Sequence, residues 1–285
     1  MIGKTNALSA AGVELSLVVS VTSGAAVTAT KSGKTVTGTA AGGACVLKLP
    51  EAGTWSVSAT LNGTVGALAL SNVTTYVFII GFNHNSSVEG TNRIHFQLGK
   101  TALSGGTDVA LCDSKYNSQV SATGYFSMNS SATNSGGWNS SQMRTKICGT
   151  SLSSYSGTII AVIPAALRAV LKSVTKYTDN TGNSSAASAV TATTDYFFLL
   201  SEYEVFGSIT YGNTNEKSKQ AQYSYYSAGN SKVKYNHSAT STAVRWWLRS
   251  PYASSSTSFV IVYTAGTVNL SYAYYSLGFA PGFCV

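Results

Sequence analysis

The C-terminal stretch of the chain constrains its fold more than any other segment. Residues 244–251 read V-R-W-W-L-R-S-P, and no charged side chain follows Arg249. Neighbouring side chains on a strand point to opposite faces, so at least one of Trp246 and Trp247 must be buried in a sizeable core. The segment after this run is dominated by Ser, Thr, Asn, Ala and Tyr. A surface built from these residues would recognise a ligand by contact rather than by charge.

Five residue types are missing from residues 250–285: Lys, Glu, Gln, Met and Trp. The first 249 residues contain 13 Lys, 6 Glu, 5 Gln, 3 Met and 4 Trp. By simple proportion, about four or five such residues would be expected in the last segment. A Gly/Ser-rich binding loop is poor in the same residues, so the absence fits both an ordinary loop and a specially diversified one.

The chain ends in G-F-A-P-G-F-C-V, where turn formers alternate with apolar residues as in a closing strand. A resemblance rests on three consecutive parts of this region: W-W-L-R-S-P, the tract of short residues after it, and this ending. Together they resemble the C-terminal variable region of proteins diversified by retroelements that mutagenise adenines. That family has a C-type-lectin-like (formylglycine-generating-enzyme-like) fold. Its variable positions derive mostly from Asn codons, and replacement of their adenines excludes the five missing residue types.

The resemblance implies a ligand-binding variable region at about residues 250–278, held by a fixed frame of Trp246, Trp247, Arg249 and Phe283. Tyrosine is prominent in it, and tyrosine combines a large contact area with few rotatable bonds and a hydroxyl, as in antibody paratopes. We expect most of these tyrosines to lie on a binding face. The positions that fit an Asn-codon template are Tyr252, Ser254, Ser255, Thr257, Ser258, Ile261, Tyr263, Ala265, Thr267, Asn269, Leu270, Ser271, Tyr272, Tyr274, Tyr275 and Leu277.

Composition limits the function classes. With 285 residues, 44% hydrophobic and only 10% charged, the chain can form one large or two ordinary domains of a kind typical of β-rich surface or appendage proteins. The net charge of +8 reflects a scarcity of acids. Six Lys or Arg and no acid follow Glu216, which could favour anionic cell-surface polymers. No dense basic stripe with interleaved aromatics is present, so no nucleic-acid partner is expected.

The first 82 residues alternate short strands with turn signals. Ser32-Gly33 and Asn62-Gly63 are predicted hairpin turns, because Gly accepts the positive φ that such turns require. Trp55 lies on the apolar face of a strand and is expected to anchor a sandwich core. The predicted strands span 13–21, 26–31, 34–39, 44–49, 54–61, 64–70 and 75–82. The run G-G-A-C-V-L-K-L-P-E-A-G-T-W-S-V-S-A resembles immunoglobulin-like (prealbumin-like) modules of phage tail and bacterial surface proteins, which implies a stalk or docking role.

A polar segment at 83–87 is the predicted domain boundary. Beyond it, the clearest predicted helix spans 163–176, with an apolar stripe facing a core, and residues 179–193 are predicted to be loop. Ser201-Glu202-Tyr203-Glu204 is a capping box that opens a short helix ending at Gly207. The order of these elements also resembles the C-type-lectin-like family, over about residues 90–285. The predicted fold class is α+β, with an immunoglobulin-like β-sandwich at 1–82 and a C-type-lectin-like domain at 83–285.

Signals of catalysis are weak. His84, His95 and His237 are isolated in the sequence, and we expect them to be structural. Glu202 and Glu204 are explained by their place in a helix's first turn. No paired carboxylates, phosphate-binding glycine loop or nucleophile elbow is present. We therefore expect no catalytic residue, no metal and no cofactor.

Cysteine usage and Arg249 also favour structural roles. Cys45, Cys112, Cys148 and Cys284 form no CxxC pair or zinc pattern, so buried free thiols are expected, with a Cys112–Cys148 bridge as the alternative. The formylglycine-generating relative uses a pair of cysteines, whereas Cys284 has no neighbouring Cys in the sequence. For Arg249, a buried cation stacked on an indole is favoured over a ligand contact.

The apolar stretch at 13–21 is interrupted by Glu14, Ser16 and Ser20, so no signal peptide is predicted. No run of about eighteen apolar residues exists, so no membrane insertion is expected.

The primary hypothesis is a non-enzymatic, retroelement-diversified ligand-binding protein of a phage tail or virion, which recognises a bacterial surface protein or glycan as its receptor. Its N-terminal domain would bind other virion or tail proteins, and assembly as a homotrimer, which some relatives show, is left open. Display on a bacterial cell surface is the second location. The alternatives are a fixed-specificity adhesin or glycan-binding lectin-like protein and, disfavoured, an oxidase of the formylglycine-generating type.

Overall fold

The computed structural model describes residues 15–20, 23–42, 44–50, 55–61, 64–68, 77–99, 107–113, 116 and 126–285. The chain divides into two compact units, one formed by Met1–Thr74 with Pro164–Ala169 and the other by Thr75–Ile163 with Val170–Val285. Short helices and mostly antiparallel strands are mixed along the chain, which is therefore α+β as predicted.

The first unit contains two antiparallel sheets that share one core. Its strands are β1 (Leu15–Ser20), β2 (Ala26–Lys31), β3 (Lys34–Thr39), β4 (Ala44–Leu49), β5 (Ser56–Leu61) and β6 (Thr64–Leu68). β1 pairs with β4, and the second sheet has the order β3-β2-β5-β6. Trp55, Val27 and Leu47 meet in the shared core, which confirms the predicted role of Trp55.

The Ser32-Gly33 hairpin turn is also confirmed, because both residues have positive φ, 46° and 78°. Such a pair of left-handed residues matches the twist of the flanking strands. The predicted turn at Asn62-Gly63 lies outside the described residues.

The second unit carries the remaining strands. They are β7 (Val77–Phe82), β8 (Ile94–Leu98), β9 (Val109–Ala110), β10 (Val174–Asp179), β11 (Val190–Asp195), β12 (Phe197–Phe198), β13 (Lys234–Asn236), β14 (Ala239–Val244), β15 (Trp246–Pro251), β16 (Ser258–Val262), β17 (Val268–Tyr272) and β18 (Gly282–Cys284). They form sheets of order β12-β18-β8-β7, β14-β13-β9, β15-β16-β17 and β10-β11. β7 was placed in the first domain by the sequence pattern, yet it pairs with β8 in the second unit.

The helices of the chain are short. They are α1 (Ser86–Glu89), α2 (Gly137–Ser140), α3 (Ile159–Val162), α4 (Ala165–Val170), α5 (Glu202–Phe206) and α6 (Ser224–Ser227), with 3-10 turns at Ala187–Ala189 and Thr214–Ser218 and a π-helical segment at Met143–Cys148. In the described part of the chain, none of them is long and apolar enough to cross a bilayer.

The predicted helix at 163–176 is wrong over its second half. α4 ends at Val170, whose side chain is exposed, and Val174 begins β10. All six residues of β10 pair with the Val/Thr-rich β11. β11 begins at Val190, so it replaces only the end of the loop predicted at 179–193; residues 180–189 contain one 3-10 turn and no strand. Here pairing between two β-branched segments overrides an apolar stripe with helical spacing.

The capping box is confirmed. The Ser201 hydroxyl accepts a hydrogen bond from the Glu204 backbone N–H, and the Glu204 carboxylate accepts one from the Ser201 backbone N–H. The helix ends at Gly207, which has a positive φ of 68°. All four cysteines are free and buried, so the bridge between Cys112 and Cys148 is not formed.

Candidate ligand-binding face

The predicted frame residues form the interior support of the C-terminal hairpin. Every residue of β15 and β16 is buried. The indole N–H of Trp246 donates to the Lys232 carbonyl at 2.9 Å, and that of Trp247 donates to the Phe126 carbonyl at 2.8 Å. Phe283 stacks against Phe96 at a ring-centroid distance of 5.2 Å. Both indoles are therefore fixed by hydrogen bonds as well as by packing, which gives the hairpin a rigid base.

Arg249 is a buried structural cation, but its partner is a carboxylate rather than an indole. Its guanidinium binds both oxygens of Glu204 and donates to the Thr178 hydroxyl at 2.7 Å and the Leu199 carbonyl at 2.8 Å. Burial alone would raise the pKa of Glu204, but Arg249 and Lys176 together hold it well below its usual range. Glu204 thus serves as helix cap and ion partner at once.

Behind this pair lies an ionic cluster that the sequence did not reveal. Lys176 Nζ lies 2.8 Å from Glu89, 2.9 Å from Glu204 and 2.9 Å from the Tyr223 hydroxyl, so all three of its N–H groups have acceptors. His84 lies 3.1 Å from Glu89 and stacks on Tyr223. His84 and His95 are thus buried structural residues, as expected, although they meet side chains that lie far from them in the sequence.

The group His84, Glu89 and His95 is the one place in the described residues where ligand-type side chains converge as at a metal site, within 4.8 Å of one another. Oxygen Oε1 of Glu89 already binds the Lys176 ammonium at 2.8 Å, which places a positive charge beside this group. Burial, and then Lys176, lower the pKa of His95 to about 3, which keeps this ring neutral. The cluster is best described as an internal ion network that joins α1, β8 and β10.

The loop between β15 and β16 is fixed by Asn134. The buried amide nitrogen of this residue lies 3.1, 2.8 and 2.9 Å from the carbonyl oxygens of Tyr252, Ser255 and Ser258. The Asn134 backbone N–H donates to the Ser256 carbonyl at 2.7 Å. Every one of these contacts on the loop is to the main chain, so the support that Asn134 gives the loop does not depend on the loop's own side chains.

A second support comes from Glu202. Its carboxylate accepts backbone N–H groups of Thr210, Tyr211 and Gly212, and the Tyr211 carbonyl accepts the N–H of Ala253 at 3.0 Å. The Tyr211 and Tyr252 rings meet edge to face at 5.8 Å. Sequence reasoning missed both Asn134 and Tyr211, since a lone Asn in a polar loop gives no signal of what it contacts.

The structure places the sixteen predicted contact positions in three groups. Exposed are Ser254, Ala265, Thr267, Asn269 and Tyr272. Partly exposed are Tyr252, Ser255, Thr257, Tyr263, Leu270, Tyr274 and Tyr275. Buried are Ser258, Ile261, Ser271 and Leu277. These last four do not lie on the surface, because strand pairing and the packing of the hairpin turn their side chains inward.

Tyr252, Tyr263, Tyr272, Tyr274 and Tyr275 are all accessible, and we refer to them as the tyrosine face. Three of them form a cluster: Tyr272 stacks on Tyr274 at 6.0 Å, and Tyr275 meets both rings edge to face, at 5.6 and 4.7 Å. A hydrogen bond with Tyr274 raises the pKa of Tyr275, so its hydroxyl stays protonated at neutral pH. Residues 250–278 contain no Asp, Glu, His, Cys, Lys or Arg. The face thus offers aromatic surface and neutral hydroxyls, which suit binding rather than acid–base chemistry.

Comparison with known proteins gives one family. Residues 112–285, more than half of the chain, match the family described as a domain of unknown function, DUF6273. No curated protein and no solved structure matches the chain.

Proposed function

The chain belongs to the DUF6273 family, and from that premise we propose that it is a non-enzymatic ligand-binding protein whose tyrosine face contacts a receptor on a bacterial surface. The observation that carries the proposal is the cluster of Tyr272, Tyr274 and Tyr275, which is accessible at the end of β17, while β16 and β15 of the same sheet are wholly buried. Rigid aromatic groups with hydroxyls bind with little loss of side-chain entropy.

The finer architecture is part of the proposal. A C-type-lectin-like fold for the second unit is supported by β18, the predicted closing strand, which returns to pair with β8 and β12. An immunoglobulin-like fold for the first unit is supported by its two sheets around Trp55. In this interpretation the first unit attaches the protein to a phage tail, a virion or a cell surface, and the second unit binds the receptor.

Retroelement diversification is the proposed origin of the face. Twelve of the sixteen template-compatible positions are at least partly accessible, and the loop that bears several of them is held through main-chain atoms. The direct test is the gene's neighbourhood. A near-copy of the codons for 250–285 with Asn codons at these positions, beside a reverse transcriptase gene, would support diversification, and its absence would count against it.

A fixed-specificity adhesin is the second candidate, and one observation favours it. Ser258, Ile261, Ser271 and Leu277 are buried, so free variation there would disturb packing rather than tune binding. Sibling sequences that vary equally at all positions of the chain would favour this candidate, whereas variation confined to the accessible positions would favour a diversified receptor-binding protein.

Binding itself is tested with labelled protein on a panel of intact bacterial cells. Replacement of Tyr272, Tyr274 and Tyr275 by Ala is expected to abolish cell binding while the melting temperature changes little, because these rings pack on one another.

Tyr226→Phe is the matched control. It removes a buried hydroxyl that donates to Gln97 at 2.6 Å, so it should lower stability and leave binding intact. A large stability loss in the triple variant would show that the three rings are core residues and would overturn the proposal.

A further inference from the structure

The second unit turns its carboxylates inward. It contains eight Asp or Glu side chains, and seven of them are buried: Glu89, Asp108, Asp179, Asp195, Glu202, Glu204 and Glu216. Four of the seven pair with cations of the same unit, namely Lys176, Lys234, Arg144 and Arg249. The eighth, Asp113, is partly exposed and accepts the Phe126 N–H. Cations at the surface of this unit therefore have few carboxylates to balance them, and the field outside it is positive.

Arg245 carries such a charge onto the tyrosine face. Its main chain is fixed on both sides, since its N–H donates to the Tyr116 hydroxyl at 3.2 Å and its carbonyl accepts the Gly278 N–H at 2.8 Å. Its guanidinium carbon lies 5.1 Å from the centre of the Tyr263 ring. It is also close enough to Tyr275 to oppose the rise in the pKa of that hydroxyl. Arg245 thus lies beside Tyr263 and within electrostatic range of Tyr275.

No carboxylate of the described residues pairs with the guanidinium of Arg245. Among the residues that the structure describes, it forms no ion pair and no side-chain hydrogen bond, and its side chain is only partly exposed. Arg249, four residues later, has Glu204, Thr178 and Leu199 as partners. Within the described part of the chain, the five N–H donors of the Arg245 guanidinium have no acceptor, so they can bind a planar anion.

We propose that Arg245 is the anion-recognition residue of the tyrosine face and that the partner is a protein that presents a carboxylate-rich patch. The proposal rests on the proposed function and names the chemistry of its receptor. Tyrosine and arginine are among the residues that contribute most to the binding energy of protein interfaces. Exposed residues of the same C-terminal segment, such as Ser254, Thr267 and Asn269, are short enough to let a partner approach. Burial of a partner's carboxylate against an otherwise unpaired guanidinium would favour that partner over neutral ones.

The test uses poly-L-glutamate as a peptide-borne carboxylate and polygalacturonate as the same group on a sugar, with binding of the full chain measured by biolayer interferometry. The wild type is expected to bind poly-L-glutamate more tightly at equal carboxylate concentration. Arg245→Gln should weaken this binding about tenfold, and Arg245→Lys, which keeps the charge but not the planar fork, should fall between.

The matched control is Lys172→Gln, which removes the same charge beside Asn92 and Cys284. If it weakens binding as much as Arg245→Gln, the effect is bulk charge and the proposal is overturned. Tighter binding to polygalacturonate would overturn the protein assignment in favour of an acidic glycan. Loss of binding in the Tyr272/Tyr274/Tyr275 variant with no effect of Arg245→Gln would overturn this inference and leave the proposed function standing. Full binding by the tyrosine variant would count against the proposed function itself.

Discussion

Both carboxylate oxygens of Glu204 bind the guanidinium of Arg249, at distances of 2.5 and 3.0 Å, and neither side chain has any exposed surface. The same carboxylate accepts the Lys176 ammonium and caps α5. One acid thus links strand β15 to helix α5 and to β10.

Arg249→Met is expected to destabilise the protein by about 3 to 5 kcal/mol, because it leaves a buried carboxylate without its main partner. Urea unfolding followed by tryptophan fluorescence measures the change. The double variant Arg249→Met/Glu204→Gln should recover part of the loss, since no unpaired charge then remains. A single-variant effect below about 1 kcal/mol would contradict the assigned role.

Asn134→Ala is expected to loosen the loop from Tyr252 to Ser258, because three carbonyls lose their donor. Hydrogen exchange of the Tyr252 and Ala253 amides should accelerate, while exchange in β2 stays unchanged. Asn134→Asp should accelerate the exchange of these amides more than Asn134→Ala does, since it places a carboxylate among carbonyl oxygens. Equal exchange in the wild type and both variants would show that the loop does not depend on Asn134.

Gly182→Ala and Gly157→Ala form a matched pair, because both glycines have positive φ, 75° and 77°. Each substitution should lose about 1 to 2 kcal/mol from backbone strain alone. A β-carbon at Gly157 meets nothing within 4 Å, whereas at Gly182 it would lie 2.1 Å from the Asn134 carbonyl oxygen. Gly182→Ala should therefore unfold at a clearly lower temperature, and similar melting temperatures for the two variants would contradict the close packing at Gly182.

Glu216 is expected to make stability fall as pH rises. Burial raises the pKa of this carboxyl from 4.5 to about 7, although hydrogen bonds from Asp179, Ser250 and Gln220 oppose the rise. Between these two values the folded state holds a proton that the unfolded state has lost, so folding is favoured at the acidic end of the window and less so above it. The melting-temperature difference between Glu216→Gln and the wild type should therefore grow from pH 5 to pH 8 in favour of the variant.

The effect of Glu216 should persist in high salt, because a buried group is poorly screened. Melting curves of wild type and Glu216→Gln that stay parallel across the same pH range would contradict the raised pKa.

Local signals in the sequence predicted local structure well. The Ser201 capping box and the Ser32-Gly33 turn need only a few neighbouring residues, and both are confirmed. Trp55, Trp246 and Trp247 are buried as expected, because removal of a large apolar side chain from water is strongly favourable.

Contacts between residues that are distant in the sequence were harder to predict. Whether 170–176 continues a helix or begins a strand is decided by pairing with β11, which no local pattern encodes. His84, Glu89 and Lys176 meet in the fold, although Glu89 and Lys176 are 87 positions apart in the sequence. Within the C-terminal segment, residue type alone does not separate Ser254, which is exposed, from Ser271, which is buried, since strand register determines which side chains of a strand point inward.

The hold of Asn134 on the carbonyls of Tyr252, Ser255 and Ser258 separates two properties that most loops combine. Asn134, which lies outside the loop, holds the loop's backbone, whereas the loop's own side chains determine the chemistry of its surface. Replacement of the exposed Ser254 would therefore change the chemistry of the surface while the contacts of Asn134 hold the loop, whereas Ser255 also contacts the Thr257 hydroxyl at 3.1 Å. A library of variants at exposed positions of this loop would present different side chains on the same backbone, which makes the unit a starting point for the engineering of binding proteins.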